Sequence, residues 1–155
     1  MGAVRTDRIS RQDLSRSRRR RDDLAIGLSG LAAAMAALPL APSSWHGPEV
    51  ASTLAVAAVA MLAGQRWAIA VVVLAELMLL PTIWPRAFLG GVAFWPGRIA
   101  ALTSLIMIVP GLLNARRAAA AFVVLTGWRR TRETCRRFQY AFVLLGLVTA
   151  LLPLL

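Results

Sequence analysis

The chain has 155 residues, 58% of them hydrophobic, and a mean hydropathy of +0.64, above the roughly 45–50% apolar share of soluble domains. Its formal net charge is +11, and all eighteen basic residues are arginines. This composition excludes an ordinary water-soluble domain, and the single cysteine, Cys135, excludes an internal disulfide and any multi-cysteine metal site.

The charges gather between the apolar runs. A bilayer demands this, because an Arg or Asp at its centre costs about 2.5–3.5 kcal/mol on insertion scales. A basic chain could also bind nucleic acid through its phosphates, but arginines beside apolar spans fit anionic lipid head groups better, at about 1 kcal/mol each near the surface. The expected partners are anionic lipids and other integral membrane subunits or further copies of the chain, with no nucleic acid.

Residues 1–23 carry eight arginines against Asp7, Asp13, Asp22 and Asp23, a composition unable to bury a core and expected to form a disordered or membrane-skimming cytoplasmic tail. The first apolar run, 24–41, is eighteen residues, about 27 Å as a helix against a hydrocarbon core of roughly 30 Å. Arg20 and Arg21 before it resemble a twin-arginine export signal. Asp22, Asp23 and the apolar runs downstream favour a permanent span instead. A polar turn follows, with Trp45 and His46 at the interface.

The second run, 50–64, is short at fifteen residues. Gln65 and Arg66 turn the chain into the third, 67–84, and the pair reads as a helical hairpin. Small residues recur mostly every three or four positions, with Gly27, Gly30, Ala34 and Ala37 in the first run and Ala51, Ala55, Ala58 and Ala63 in the second, which allows close helix approach. Residues 85–97 are rich in Pro, Gly and aromatics, too broken for a helix. They are expected in the outer interface, with Phe88, Phe94 and Trp95 as anchors and Arg86 and Arg98 reaching head groups.

The fourth run, 98–114, contains Pro110-Gly111, a kink signal. Residues 116–137 are expected to lie along the inner interface, with Arg129, Arg132, Glu133 and Arg136 on one helical face and Arg129, Arg130, Arg132, Arg136 and Arg137 binding lipid head groups. The last run, 138–155, completes an all-α, polytopic bundle of about five spans in residues 24–155.

Five spans place eight, one and seven arginines on the N-terminal side of the membrane, against Arg86 and Arg98 on the other. The positive-inside rule therefore predicts a cytoplasmic N-terminus, and the exclusive use of arginine with short connecting loops points to a bacterial inner membrane.

Glu76 is the one carboxyl within the apolar runs, and an intramembrane carboxyl marks a functional site by default. Counting residues from the ends of adjacent runs places Thr103, Ser104 and Thr149 at reachable depth. Two roles follow: a neutral acid bonded to these hydroxyls and joining helices, or a proton carrier. His46 alone cannot make a metal or haem site, and Cys135 is expected to be inert. No phosphate loop, zincin helix or nucleophile elbow occurs. The sequence thus predicts a non-enzymatic accessory subunit without cofactor or metal; a small proton-coupled transporter or channel-like permease using Glu76 is the alternative.

Overall fold

The computed structural model describes residues 3–38, 40, 47–89, 95–129, 131–151 and 153, with side chains from residue 16 onward. Expectations for Trp45, His46, Phe94 and Arg130 fall outside these residues. The described residues form an all-helical protein of six helices: α1 (Ala3–Ala37), α2 (Gly47–Leu62), α3 (Ala68–Phe88), α4 (Trp95–Leu113), α5 (Ala115–Leu125) and α6 (Arg132–Leu151).

Helix α3 is the axis of the bundle. It packs against α2, α4, α5 and α6, and its buried residues cover a broad arc, with Ile69, Val72, Val73, Glu76, Leu79 and Ile83 along its centre and Ala70, Leu77 and Ala75 widening it to either side. A helix apolar on all sides is stable only when surrounded. Among the described residues, α3 and α4 are the two helices long and apolar enough to cross a membrane.

Small residues bring α1 against α2 and α3. A Cβ on Gly30 would lie 3.5 Å from Val72, 3.6 Å from Ala58 and 3.7 Å from Leu54, whereas one on Gly27 would come within 2.8 Å of Leu62. The small-residue spacing thus serves packing within the chain. Ala63 takes no part, being exposed beyond the end of α2.

Polar contacts gather at the two ends of the bundle. At one end Arg117 of α5 pairs with Asp23 of α1, both about one-third exposed (38% and 34%), near the turn through Gln65 and Arg66. At the other, Trp84 Nε1 donates to the Ala150 carbonyl at 2.8 Å, Arg98 Nε donates to the Ala87 carbonyl at 3.2 Å, and Arg86 donates to the Leu40 carbonyl. The last carbonyls of a helix have no partner within it, and a cationic or N–H donor there also suits the helix dipole. Arg86 and Arg98 each give one donor to a backbone carbonyl of another segment.

Three further expectations are corrected. The arginine-rich segment is helical from Ala3, continuous with the apolar part of α1; arginine is a good helix former, and an N-terminal extension of an existing helix needs no new nucleus. Helix α3 runs through Pro81 and Pro85 to Phe88. The two prolines are four residues apart and so remove donors from the same side, and the Leu89 N–H closes the last turn on the Pro85 carbonyl at 2.7 Å.

The segment 116–137 is likewise not one surface helix. Gly127, at φ +70°, breaks it into α5 and the start of α6, leaving Arg129 outside the helical face of Arg132, Glu133 and Arg136. Phe122 closes this hairpin against Phe138 and Phe142, at ring-centroid distances of 5.3 and 6.0 Å. Trp128 adds an edge contact to Phe138.

Candidate functional site

Glu76 stands nine residues into α3, with its side chain fully buried (0% exposed). Side chains on a helix lean toward its N-terminus, so the carboxyl reaches toward the Asp23–Arg117 end. There it occupies the space that a side chain on Gly111 of α4 would need. Gly111 follows Pro110, whose missing N–H leaves α4 without one of its regular backbone bonds.

The hydroxyls expected to face Glu76 are engaged elsewhere. Ser104 is buried, but its Oγ donates to the Ala33 carbonyl of α1 at 3.1 Å. Thr149 Oγ1 donates to the Gly146 carbonyl at 3.0 Å, within its own helix, and Thr103 is exposed. Counting residues from helix ends matched Cα depths and omitted both the lean of the Glu76 side chain and the facing of α4. Ser104 instead joins α4 to α1, a contact the sequence did not suggest.

Among the described residues the buried polar side chains are Ser29, Glu76 and Ser104. Ser29 Oγ donates to the Ile26 carbonyl at 3.0 Å. Both carboxyl oxygens of Glu76 lack a hydrogen-bond partner. Leaving a buried polar group unsatisfied costs about 1–3 kcal/mol, more if it is charged. The chain therefore carries in its core a group that lowers its own stability.

An apolar groove of about 240 Å³ is bordered by Val73, Leu77 and Leu80 of α3, Leu112 of α4, and Phe142 and Gly146 of α6. Glu76 is not among the residues that border it; its carboxyl is fully buried against Gly111. A Cβ on Gly146 would come within 2.9 Å of Leu77 Cδ2. The groove reaches the exterior at Val143, which is 56% exposed.

Of the proposed lipid-binding arginines, Arg129, Arg132, Arg136 and Arg137 are all exposed near the start of α6. Arg137 also meets Glu133 at 2.7 Å, one turn away. Cys135 is half-buried among them. The chain matches no protein-family model, and neither the curated proteins nor the solved structures include a similar chain.

Proposed function

We propose that this protein is a small, non-enzymatic polytopic membrane protein that acts as an accessory subunit by packing against other membrane proteins. Its setting is the bacterial inner membrane, with five spans and a cytoplasmic N-terminus. The observation that carries this reading is the outer surface of α6. This helix buries only Phe142 and turns Tyr140, Val143, Leu144, Leu147, Val148 and Leu151 outward along one stripe. Helix α4 adds a second stripe through Ile99, Leu102, Ile106, Val109 and Leu113. Contiguous apolar faces of this kind are rare on water-soluble monomers and fit lipid or neighbouring helices.

The three shorter apolar stretches, 24–37, 48–62 and 138–151, reach about 21–23 Å as helices. They cross by letting flanking arginines snorkel and the bilayer thin locally. The same arginines, Arg129, Arg130, Arg132, Arg136 and Arg137, retain anionic lipid and hold the loop on the cytoplasmic side. Against proton transport stands the diversion of Ser104 and Thr149 to backbone carbonyls, which leaves Glu76 without hydroxyl partners to relay a proton.

A photocrosslinking amino acid at Leu144 or Val148, activated in cells, tests the subunit role. Discrete protein adducts are expected at both positions, and lipid adducts alone would contradict it. In proteoliposomes with an internal pH dye, proton flux that disappears in Glu76→Gln would establish the transporter instead.

A further inference from the structure

The arginines around the start of α6 are not equivalent. Among the described residues, Arg137 is paired with Glu133 and Arg117 with Asp23, whereas Arg132 and Arg136 are exposed and form no ion pair. Positions 132, 136, 139, 143 and 146 follow one another at spacings of four and three, so Arg132, Arg136, Gln139, Val143 and Gly146 lie along one face of α6. The last two border the apolar groove between α3 and α6, about 240 Å³ in volume, which runs from Val73 to Leu80, about 10 Å along α3. This face of α6 therefore begins in uncommitted cations and ends at an apolar groove that opens outward at Val143. Arg136 precedes Val143 by seven residues, again about 10 Å. On the opposite wall, Ala115 borders the groove and the exposed Arg116 follows it. Charge at the membrane surface followed by an apolar channel one or two turns deeper is the order in which a phospholipid presents its phosphate and its chains.

We propose that the groove between α3 and α6 seats one acyl chain of an anionic phospholipid whose phosphate is held by Arg132 and Arg136. Their guanidinium groups donate to the phosphate oxygens, which a planar fork of N–H donors suits. The chain lies against Leu77, Leu80 and Phe142 and enters sideways past Val143, so no polar group crosses the hydrocarbon. The groove is smaller than the roughly 300–1,000 Å³ of sites for drug-sized ligands, so it takes part of one chain and leaves the second in the surrounding bilayer. This site rests on the reading that these arginines retain anionic lipid, and narrows it from a diffuse attraction to one bound molecule.

The test uses the full-length protein in mild detergent, titrated with phosphatidylglycerol and phosphatidylcholine of identical chains and read by native mass spectrometry. Wild type should bind one phosphatidylglycerol at least about tenfold more tightly than phosphatidylcholine, since two surface arginines favour the anionic head. Arg132→Gln combined with Arg136→Gln should erase that preference and leave phosphatidylcholine binding in place. Val143→Trp, which closes the mouth from its exposed side, should weaken both lipids at least about tenfold by displacing buried methylenes, and should keep the preference. Glycerol 3-phosphate, a head without chains, should not displace the lipid; displacement would overturn the proposal in favour of a plain phosphate site. A preference for phosphatidylglycerol with no effect of Val143→Trp would overturn the groove while sparing the lipid-retaining arginines, and equal affinity of wild type for the two lipids would overturn both. Phosphatidylglycerol with a diazirine in one chain gives a measurement on wild type alone: adducts should map to Leu80, Phe142 or Val143, and their absence there would overturn the proposal whether or not either variant folds.

Discussion

The carboxyl of Glu76 occupies the space where a residue-111 side chain would stand, so the acid of α3 and the glycine of α4 are each possible only because of the other. Gly111→Ala should destabilise the bundle by about 1–3 kcal/mol through overpacking. The same change should be nearly neutral when combined with Glu76→Ala, because the pair is coupled. A double-mutant cycle measured by reversible unfolding in mixed micelles reads the coupling, and strict additivity would refute the contact.

Because both oxygens of Glu76 are unpartnered, replacing the acid with an apolar side chain of similar length should raise stability. Glu76→Met is expected to gain about 1–3 kcal/mol, the cost of the unsatisfied group. Thermal unfolding in detergent checks it. A loss of stability would mean that the carboxyl does join helices, as the sequence suggested.

Much of this architecture was legible in the chain. Apolar runs bounded by arginines marked the helices, the Gly27 and Gly30 spacing marked the close approach of α1, and Glu76 stood out as the lone acid in an apolar run. Its surroundings were not legible. Which face of α4 meets α3 depends on packing among several helices, and no local pattern encodes that Ser104 turns to Ala33 while Gly111 turns to Glu76. Pro110-Gly111 was readable as a kink, but not as the seat of a carboxyl. Pro85 misled in the opposite direction, since α3 continues through it to Phe88 and proline's local cost was overridden by the surrounding contacts of α3.

Trp84 and Ala150 join the far ends of α3 and α6. Trp84→Phe keeps the aromatic bulk and removes the donor, so it should cost about 0.5–1.5 kcal/mol. It should also speed hydrogen exchange in the last turn of α6 by loosening its attachment. Unchanged exchange there would show that the bond does not anchor the helix.

At the opposite end, Asp23 and Arg117 are partly exposed, which limits their worth to that of a surface pair, about 0.2–1 kcal/mol. Asp23→Arg or Arg117→Asp alone should destabilise, and the two together should recover most of the loss. Added salt should weaken the coupling, since solvent-exposed charges are screened. A double swap no better than either single change would separate α1 from α5.

The central claim is a five-span membrane bundle in which α3 and α6 run in the same direction, the order given by the Leu77–Gly146 and Trp84–Ala150 contacts together. Compartment-sensitive reporter fusions test it most directly. Fusions after Arg21, Gln65 and Glu133 should report the cytoplasm, and fusions after Gly47, Gly90 and Leu155 the periplasm, following the arginine asymmetry. A cytoplasmic signal at Leu155, with Gly90 still periplasmic, would contradict the account by placing the end of α6 on the opposite side from the end of α3.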